Sequence, residues 1–473
     1  MNLTQESKIY FIGIGGIAMS ATAGIAKELR YDVSGSDSKA IYNPAKSVLD
    51  DLDIPYHVGY DAKHVTDLLQ SSSVIFIASA GEDMSNPEVS YLRENDIEIN
   101  SLSELLFELS KEKLRVVVTG THGKSTTTAM LGQSLKQIDD SSFMTGAVLT
   151  DLKRNFYFGD GHYFTFEGDE YKALFDDPTP KFQQYKPDIV VLTNLEFDHP
   201  DMFSSVEEIK AELAELLDKM PDDGIIFYNA DASELLKTVH HSNLGQVSFG
   251  IHNPADFSAT NIQTLPNTTT FTVNKIDPVT KIETSEDYSV NAFGEMNVYN
   301  ALAVITTLRT LGFSHEQVQM GLSFYHGIKR RFELIGQFNN AMIFDDYAHH
   351  PTAIKETLAA ARLRFPDSRI WAIFEPHTFS RTEAVLGDLS KSFEFADRVL
   401  LAEIYPAREK KTDNSITGAK VVEEIAKKHK DVRLVSDKQA TLEILRKGIE
   451  PGDVVIVMAV GSFNTLAHEL VGE

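Results

Sequence analysis

The chain has 473 residues, of which 42% are hydrophobic and 24% charged, so it is expected to fold into about three compact domains rather than one. Its formal net charge of -25 at pH 7 disfavours a protein that coats nucleic acid or an anionic membrane, because proteins that do so present basic surfaces. The absence of cysteine excludes disulfides, thiolate nucleophiles and Cys-ligated zinc.

The first unit, predicted over residues 1–110, opens as a strand, a glycine-rich turn and a helix. The predicted elements are a strand within residues 8–16, a helix over Ile17–Leu29, and strands at Asp32–Ser36, Ser73–Ser79 and Ile97–Asn100. The apolar start is short and broken by glycines, unlike a signal peptide, and no run of about 20 apolar residues occurs. We therefore predict a cytoplasmic protein without membrane insertion.

Two further α/β units are predicted, over residues 111–326 and 327–473. The predicted elements of the second are strands at Leu114–Val118, Ile189–Leu192 and Ile225–Tyr228 and helices at Ser125–Lys136 and Val206–Lys219. Alternating stretches such as Thr268–Val273 suit an antiparallel sheet or exposed loops within this unit. The predicted strands of the third are Met342–Phe344, Ile370–Phe374, Arg398–Leu401 and Val454–Met458. The fold class is therefore α/β, with three consecutive α/β domains, of which the N-terminal and C-terminal ones are expected to be Rossmann-like.

The first glycine cluster, Gly13–Ala18, satisfies G-x-G-x-x-A between a predicted strand and a predicted helix, with Asp37 at the end of the next strand. Glycines let the backbone approach a pyrophosphate, and the helix N-terminus supplies amide donors. The pattern favours a bound dinucleotide or nucleotide diphosphate, with Asp37 near a ribose hydroxyl. A tight turn without a ligand, capped by Asp37, is the alternative. An NAD-dependent dehydrogenase is the first enzyme class that the cluster suggests.

The second glycine cluster ends in Gly123, Lys124 and Ser125, as in a phosphate loop whose lysine neutralises the β- and γ-phosphates and whose serine hydroxyl reaches Mg²⁺. The strict G-x-x-x-x-G-K-S pattern requires glycine at position 118, where the chain has valine, so the loop is a shortened variant. The preceding strand and the following threonines keep the context of a phosphate loop. ATP binding is the sharpest inference from the residues themselves, and it predicts that the central unit is a P-loop ATPase domain.

Acidic and histidine side chains follow several predicted strands, at the sheet edge where α/β proteins bind ligands. Glu167 follows an apolar stretch and His199 follows Ile189–Leu192, and both are candidate Mg²⁺ contacts, although a lone histidine is more often structural. The segment Asp345–Pro351 contains two acids and two imidazoles. It is interpreted as a nucleotide or substrate contact, with zinc binding or a structural strand end as alternatives.

The order of these segments along the chain resembles that of the Mur ligases from end to end. The matching segments are Gly13–Ser20 (nucleotide-sugar loop), Thr119–Thr126 (ATP loop), Glu167–Glu170 (metal-binding E-A-D-E, with Gly168 for alanine), Asn194–Asp201 (N-x-E-x-D-H-x-D), Gly294–Asn300 (G-x-H-N-x-x-N, with Met296 for histidine) and Gly327–Glu333 (hinge into the third domain). The resemblance implies an ATP-dependent acid–amino-acid ligase that uses ATP and Mg²⁺ on a UDP-linked sugar acid in peptidoglycan synthesis.

The same resemblance implies roles for individual residues. The ATP-binding residues would be Gly120, Thr121, His122, Gly123, Lys124, Ser125, Thr126, Asn297, Arg331 and Asp346. The UDP-sugar would be bound by Gly15, Gly16, Ile17, Ser36, Asp37 and Ser79, and the amino-acid substrate by His349, His377, Arg381 and Arg408. The magnesium contacts would be Ser125, Glu167 and His199, and the catalytic residues Lys124, Glu167 and His199.

Within the family, Phe374–Thr382 and Ile404–Lys410 resemble the branch that joins L-alanine to the lactyl carboxylate of UDP-N-acetylmuramate. Glu170-Tyr171, Lys181–Tyr185 and Asn194–His199 are instead similar to the muropeptide-recycling branch, which adds L-Ala-γ-D-Glu-diaminopimelate to the same nucleotide sugar. The L-alanine branch is preferred, because the recycling branch lacks the P-H-x-x-x-R-T pattern in its C-terminal domain.

The resemblance implies that ATP phosphorylates the lactyl carboxylate and that the amino group of L-alanine attacks the acyl phosphate, releasing ADP and phosphate. Small-molecule substrates are the expected partners, with no nucleic acid and no membrane insertion, and the protein is expected to be a monomer or a homodimer. Two hypotheses from other classes stay open, namely a dehydrogenase that binds NAD at Gly13–Ala18 and a non-catalytic nucleotide-binding protein.

Overall fold

The computed structural model describes residues 1, 3–70, 73–198, 200, 202–265, 268–276, 279–407 and 409–472. His199 and Arg408, both predicted site residues, lie outside the described residues. Three separate sheets divide the described chain into an N-terminal, a central and a C-terminal unit, each of α/β type, so the predicted fold class is confirmed. None of the described helices is both long and apolar enough to cross a membrane.

The N-terminal unit is a parallel five-stranded sheet in the order β3-β2-β1-β4-β5. Its elements are β1 (Lys8–Ile12), α1 (Ile17–Glu28), β2 (Asp32–Asp37), α2 (Ala45–Asp51), β3 (Tyr56–Val58), α3 (Ala62–Leu69), β4 (Val74–Ala78), α4 (Pro87–Glu94), β5 (Ile99–Ser101) and α5 (Leu102–Leu109). The strand order reverses between β1 and β4. The loops that follow these two strands therefore border a crevice at the carboxyl edge of the sheet.

The central unit is a ten-stranded sheet in the order β15-β14-β13-β12-β11-β10-β6-β9-β7-β8. Its elements are β6 (Leu114–Thr119), α6 (Lys124–Asp139), β7 (Ser142–Met144), β8 (Phe156–Tyr157), β9 (Tyr163–Glu167), α7 (Lys181–Gln184), β10 (Ile189–Leu192), α8 (Val206–Asp218), β11 (Ile225–Asn229), α9 (Ser233–His240), β12 (Gly245–Gly250), β13 (Phe257–Thr264), β14 (Thr269–Ile276), β15 (Glu283–Val290), α10 (Glu295–Thr310) and α11 (His315–Ser323). Strands β13, β14 and β15 pair antiparallel and extend the parallel part of the sheet. The threonine-rich stretch around β14 is thus sheet and not an exposed loop.

The C-terminal unit is a six-stranded sheet in the order β16-β17-β21-β18-β19-β20, parallel except for β16. Its elements are β16 (Glu333–Phe338), β17 (Ala341–Asp346), α12 (Pro351–Arg364), β18 (Ile370–Phe374), α13 (Phe379–Ala384), α14 (Leu386–Leu389), β19 (Arg398–Leu401), α15 (Gly418–Ala426), β20 (Val432–Leu434), α16 (Lys438–Gly448), β21 (Val454–Met458) and α17 (Leu466–Val471). The strands of the three sheets fall within the ranges 1–110, 111–326 and 327–473, whose end points stay predictions.

The strands at the centre of each sheet are buried along most of their length. Every residue of β10, β18 and β21 is buried, so these strands have apolar side chains on both faces and appear in the sequence as continuous apolar runs. Their predicted bounds, and those of β19, are confirmed to the residue. The short strand β3 was not predicted, because it is an edge strand with two exposed residues out of three and a weak apolar pattern.

The segment that follows β9 packs against the N-terminal unit. Leu174 is buried in a cluster with Tyr10 and Phe76 of the N-terminal sheet. Oε1 of Gln184 accepts hydrogen bonds from the Ser101 and Ser103 hydroxyls at 2.5 and 2.6 Å. These contacts fix the carboxyl end of β9 relative to the crevice of the N-terminal unit, and this strand end carries the predicted magnesium contact.

Candidate functional site

The turn between β1 and α1 carries the first glycine cluster. Gly13 has a φ of +82°, and a Cβ added there would lie 2.9 Å from the Cβ of Ser79, so glycine is required at this position. The amide of Gly15 donates a hydrogen bond to Oδ2 of Asp37 at 2.8 Å. The remaining predicted nucleotide-sugar residues at this turn are Gly16, Ile17 and Ser36. The structure therefore brings this predicted set together at one sheet edge.

A buried carboxylate, Glu88, supports this turn from inside the unit. It accepts a hydrogen bond from the Ser36 hydroxyl at 2.5 Å, and its Oε1 lies 2.7 Å from Nδ1 of His64. The Tyr10 hydroxyl is 3.4 Å from the same oxygen. Burial raises the pKa of Tyr10, and the charge of Glu88 raises it further. Glu88 is absent from the predicted site, because its contact with Ser36 joins positions far apart in the sequence.

The turn between β6 and α6 carries the second glycine cluster. Gly120 and Gly123 have φ values of +130° and +81°. A Cβ at Gly120 would lie 2.6 Å from the carbonyl oxygen of Asn194, and one at Gly123 would lie 2.5 Å from Oδ1 of Asn300. The amide of Thr121 donates to the Asn194 carbonyl at 3.3 Å. The loop is therefore enclosed between the end of β10 and α10, and both positions require glycine.

Lys124 is largely, but not fully, buried at the start of α6 among carboxylates. Its Nζ donates to the carbonyl oxygen of Gly120 at 2.7 Å and lies 2.9 Å from Oε2 of Glu170. Burial alone would lower the pKa of Lys124, but the charges of Glu170, Glu167 and Asp169 outweigh it and raise the pKa above its usual value. The lysine is therefore a permanent positive charge at the end of the phosphate loop.

Ser125 and Glu167 form a hydroxyl–carboxylate pair beside this lysine. The Ser125 hydroxyl donates to Oε1 of Glu167 at 2.8 Å. The other oxygen, Oε2, accepts from the Thr145 hydroxyl at 3.0 Å and from the amide of Gly146 at 2.6 Å. Hydroxyl and carboxylate oxygens are the ligands that Mg²⁺ prefers, so this donor set fits magnesium.

The two positions at which the chain departs from the Mur ligase motifs have defined surroundings. A Cβ at Gly168 would lie 2.7 Å from Cγ1 of Val117 and 2.9 Å from Cβ of Thr119, so the packing leaves no room for alanine. Met296 stands where the motif has histidine, and it lines a pocket between β10, β11 and α10. The other described residues that line this pocket include Asn194, Asn229, Asp231, Tyr299, Thr352 and Glu356.

Helix α10 reaches the phosphate loop through a chain of asparagines. The Thr127 hydroxyl donates to Oδ1 of Asn300 at 3.0 Å, and Nδ2 of Asn300 donates to Oδ1 of Asn297 at 3.1 Å. Nδ2 of Asn297 donates in turn to the carbonyl of Phe293 at 2.8 Å. Asn297, a predicted ATP-binding residue, is thus connected to α6 through one intervening side chain. Thr126, another predicted ATP-binding residue, lies buried in the first turn of α6.

The end of β17 holds the hinge into the C-terminal unit. The carboxylate of Asp346 accepts hydrogen bonds from the amides of Phe332 and Ala348, each at 2.7 Å. Burial raises the pKa of Asp346, and the charge of Arg331 opposes this shift. The guanidinium of Arg331 lies 5.0 Å from the centre of the Tyr347 ring. The Asp346 carboxylate accepts hydrogen bonds from the hinge backbone, and its predicted contact with ATP stays a prediction.

Three predicted contacts of the amino-acid substrate lie close together at the carboxyl edge of the C-terminal sheet. Nη1 of Arg381 is 3.2 Å from Nδ1 of His377, and the rings of His377 and His349 are 6.0 Å apart. Nε of Arg381 donates to Oδ1 of Asp198 at 2.9 Å, and both of these side chains are buried. Burial lowers the pKa of His349 well below its usual value, and the Arg381 charge lowers it further. His349 is therefore neutral near pH 7.

Three acidic side chains at these edges are missing from the predicted site, namely Glu170, Glu196 and Asp198. Glu170 contacts Lys124, whereas Glu196 and Asp198 reach residues of the C-terminal unit. The sequence contained a signal for all three, because they belong to the Mur-like segments at 167–170 and 194–201. Their partners are distant in sequence, so the motifs alone do not indicate which contacts they make.

Sequence profiles of three Mur ligase domains match the chain in succession. They are the Mur ligase family catalytic domain over residues 8–114, the Mur ligase middle domain over 118–308 and the Mur ligase glutamate ligase domain over 330–461. The UDP-N-acetylmuramate–L-alanine ligase of Desulfitobacterium hafniense is 34% identical over 465 residues, which cover 98% of this chain and 99% of the relative. The ligase of the same name from Clostridium acetobutylicum is 34% identical, with 96% of this chain and 95% of the relative covered.

Solved structures share the fold over nearly the whole chain. The UDP-N-acetylmuramate–alanine ligase of Thermotoga maritima superposes with a TM-score of 0.77 at 24% identity and 98% coverage of both chains. A murein peptide ligase from Psychrobacter arcticus gives a TM-score of 0.70 at 28% identity, again with 98% of both chains covered. The MurF ligase of T. maritima, solved in complex with ADP, gives 0.61 at 19% identity, with 86% of this chain and 90% of that chain covered. The first and third likenesses show a common fold.

Proposed function

The chain belongs to the Mur ligase family, and we propose that it forms an amide bond between L-alanine and the lactyl carboxylate of UDP-N-acetylmuramate in peptidoglycan synthesis, at the expense of ATP. The observation that carries the proposal is the pairing of Lys124 with Glu170 and of Ser125 with Glu167 at the phosphate loop. The names of the full-length relatives support L-alanine and UDP-N-acetylmuramate as substrates. An NAD-dependent dehydrogenase would leave the Lys124 cluster without a role, and the relatives are ligases.

In the proposed first step, an oxygen of the lactyl carboxylate attacks the γ-phosphorus of ATP, the bond to the bridging oxygen breaks, and ADP leaves. Phosphoryl transfer depends mainly on positioning and on stabilisation of charge. Lys124 supplies that charge when its ammonium group exchanges Glu170 for a phosphate oxygen. The neighbouring carboxylates that raise the pKa of Lys124 keep it protonated before ATP arrives.

Ser125 and Glu167 would hold Mg²⁺ in this reaction. The bound ion would withdraw negative charge from the phosphate oxygens. Thr145 and Gly146 fix one carboxylate oxygen of Glu167 and leave the other directed towards the Ser125 hydroxyl. His199 remains a predicted third contact.

In the proposed second step, the amino group of L-alanine attacks the carbonyl carbon of the acyl phosphate, inorganic phosphate leaves, and the nitrogen loses a proton. Arg381 and His377 provide a positive charge and a hydrogen-bonding group for the carboxylate of the amino acid. Neutral His349, which lies next to His377, is suited to accept the proton from nitrogen. Arg408 remains a predicted contact of the same substrate.

The test is phosphate release from ATP in the presence of UDP-N-acetylmuramate, with either L-alanine or the tripeptide L-Ala-γ-D-Glu-diaminopimelate as acceptor. Turnover with L-alanine alone supports the proposal. Turnover with the tripeptide alone would assign the chain to muropeptide recycling, a possibility that the 28% identity to the murein peptide ligase of P. arcticus motivates. Turnover with neither acceptor contradicts the proposed substrates. Reactions without nucleotide sugar measure background ATP hydrolysis.

Two properties of the protein stay predictions from the sequence. One is the cytoplasmic location, and the other is the monomeric or homodimeric state. Sedimentation of the purified protein distinguishes the two assembly states. Product analysis of the phosphate-release reactions described above tests whether ADP and phosphate are released in equal amounts, as the proposed chemistry requires.

A further inference from the structure

A cluster of three potential metal ligands lies between the central and C-terminal units. His122 belongs to the phosphate loop, Glu196 follows β10, and His350 caps the start of α12. Nε2 of His122 is 3.2 Å, and Nδ1 of His350 is 3.7 Å, from the same oxygen, Oε2 of Glu196. In the part of the chain that the structure describes, no other group of at least three histidine or acidic side chains has all its ligand atoms within 4.8 Å of one another.

The separations within this cluster resemble those of a tetrahedral metal site. With metal–ligand bonds of about 2.0–2.1 Å, two ligands of a tetrahedral ion lie about 3.4 Å apart. The two distances from Glu196 Oε2 bracket this value. The two imidazole nitrogens lie within 4.8 Å of each other, and small side-chain rotations would bring them to the tetrahedral separation.

Glu196 and His350 have the protonation states that a metal requires, whereas Nε2 of His122, which donates to Glu196, would exchange its proton for the metal. Partial burial would raise the pKa of Glu196, but hydrogen bonds from His122 and Thr352 outweigh this effect and lower the pKa to about 2. Burial lowers the pKa of His350 to about 4, so its imidazole is neutral near pH 7. The amide of Thr352 donates a long hydrogen bond of 3.4 Å to Nδ1 of His350, so this nitrogen is unprotonated, and a metal would take the place of that weak bond on its lone pair.

Neighbouring groups hold the Glu196 side chain and the backbone of His122 in place. The Thr352 hydroxyl donates a hydrogen bond to Oε2 of Glu196 at 2.8 Å. The backbone amide of His122 donates a hydrogen bond to Oδ1 of Asn194, also at 2.8 Å. The two histidine side chains are 8% and 9% exposed, whereas Glu196 is 39% exposed and leaves a route from solvent. Two imidazoles and one carboxylate suit Zn²⁺ better than Mg²⁺, which prefers oxygen ligands throughout.

We propose that His122, Glu196 and His350 bind a divalent transition metal of the Zn²⁺ type, at a site separate from the magnesium contacts of Ser125 and Glu167. Three protein ligands leave a fourth position of a tetrahedral ion open to water or to an oxygen of a bound ligand. The ion would join the phosphate loop directly to α12 and so hold the C-terminal unit against the central unit. The proposal does not rest on the identity of the acceptor, because metal binding is measured without substrates.

The experiment titrates Co²⁺ into full-length protein that has been freed of metals by chelation, without nucleotides and with excess Mg²⁺. Tetrahedral Co²⁺ absorbs visible light much more strongly than octahedral Co²⁺ on oxygen ligands, so the spectrum separates the proposed site from a magnesium site. We expect a saturable tetrahedral spectrum at one ion per chain that Zn²⁺ abolishes by displacement. Glu196→Gln and His350→Gln should each weaken Co²⁺ binding at least about tenfold.

The two variants and one control make the result decisive. Glu196→Gln keeps a hydrogen-bond acceptor for Thr352, so it tests the ligand with little change in packing. His162→Gln is the control, because His162 also lies beside a carboxylate, 2.9 Å from Asp139, but its side chain is 82% exposed. His162→Gln should bind Co²⁺ like the unaltered protein. Absence of the tetrahedral spectrum, or equal affinity in Glu196→Gln and His350→Gln, would overturn the proposal.

Discussion

The two glycine-rich turns of this chain have similar backbones but different charged neighbours. Each joins a buried parallel strand to the N-terminus of a helix, and each contains a glycine with positive φ. In the first turn, the Gly15 amide is paired with the carboxylate of Asp37. In the second, the ammonium group of Lys124 lies among Glu170 and other carboxylates. The helix N-terminus has amide donors in both cases, so we expect the side chains at neighbouring strand ends to distinguish the predicted diphosphate site from the predicted site of phosphoryl transfer.

The largest expected effect concerns the charge that only the second turn possesses. Lys124→Ala should lower phosphate release from ATP by about a thousandfold, because the transferring phosphoryl group loses its adjacent cation. Binding of the nucleotide sugar to the first turn should be unchanged. The measurement is steady-state phosphate release, together with binding of UDP-N-acetylmuramate by calorimetry.

Lys136→Ala is the matched control for this substitution, since Lys136 lies in the last turn of the same helix. It should alter turnover by no more than about twofold. ATP turnover that survives Lys124→Ala in a folded protein would remove the proposed distinction between the two turns. ATP binding without turnover in the unaltered chain would instead support a non-catalytic nucleotide-binding protein.

The fold could be predicted largely because its central strands are buried on both faces. Ile189–Leu192, Ile370–Phe374 and Val454–Met458 are continuous apolar runs, and their bounds follow directly from the sequence. Strands β7 and β8 have three and two residues, too few for a periodic pattern to distinguish them from loops. The extension of the central sheet by β13 to β15 also depends on pairing between strands, which local composition does not encode.

The candidate site could be predicted only in part, for a related reason. The loop residues Lys124 and Ser125 and the acid Glu167 follow from motifs, because each motif is local. The pairing of Glu170 with Lys124 and of Glu196 with His122 depends on how separate strand ends pack together. Glu88 similarly reaches Ser36 of β2 from α4. Side-chain pairs of this kind depend on tertiary structure, so a single sequence indicates the candidates but not the pairs.

The C-terminal sheet extends the comparison to a strand end without a glycine-rich turn. Burial raises the pKa of Asp345 to about 6, although Arg330 opposes the shift from 3.0 Å away. Because this carboxyl is more easily protonated in the folded state, its contribution to stability is present below its usual pKa of 3.8 and is lost as the pH rises through about 6. Asp345→Asn should therefore gain stability relative to the unaltered chain over this range, by on the order of 3 kcal/mol.

The only tryptophan, Trp371, makes this prediction measurable, because it is buried in the C-terminal sheet and its fluorescence reports unfolding of that unit. Urea unfolding of both proteins should be followed at several pH values between about 4 and 7. Asp367→Asn is the control, since Asp367 is exposed in the same unit. A stability difference between Asp345→Asn and the unaltered chain that does not change with pH would contradict the assigned shift.

The hydroxyl–carboxylate pair of the second turn gives a smaller effect that depends on magnesium. Glu167→Gln keeps the size of the side chain but removes its charge, so the concentration of Mg²⁺ for half-maximal turnover should rise at least about tenfold. High Mg²⁺ should restore part of the lost activity. The control is Glu207→Gln, whose side chain is 74% exposed in the unaltered chain. An unchanged magnesium requirement in Glu167→Gln would show that this carboxylate does not contact the ion.

The smallest expected effect is a change in KM, and it tests each of the two turns separately. A Cβ at Gly15 would lie 2.6 Å from Oδ2 of Asp37, so Gly15→Ala must displace the carboxylate that accepts the Gly15 amide in the first turn. A Cβ at Gly120 would lie 2.6 Å from the Asn194 carbonyl, so Gly120→Ala must displace the second. We expect Gly15→Ala to raise KM for UDP-N-acetylmuramate by about tenfold with little change in KM for ATP, and Gly120→Ala to do the reverse, because a shifted loop misplaces only the ligand that it holds.

Gly387→Ala is the matched control for this pair, because a Cβ at that glycine would meet no atom within 4 Å. Both KM values should be measured below the unfolding temperature of every variant, so that loss of folded protein does not imitate weak binding. An equal rise in both KM values for either turn variant would mean that the two turns move as one unit. The nucleotide-sugar and ATP sites would then be coupled through the segment after β9, which joins the N-terminal and central sheets at Gln184.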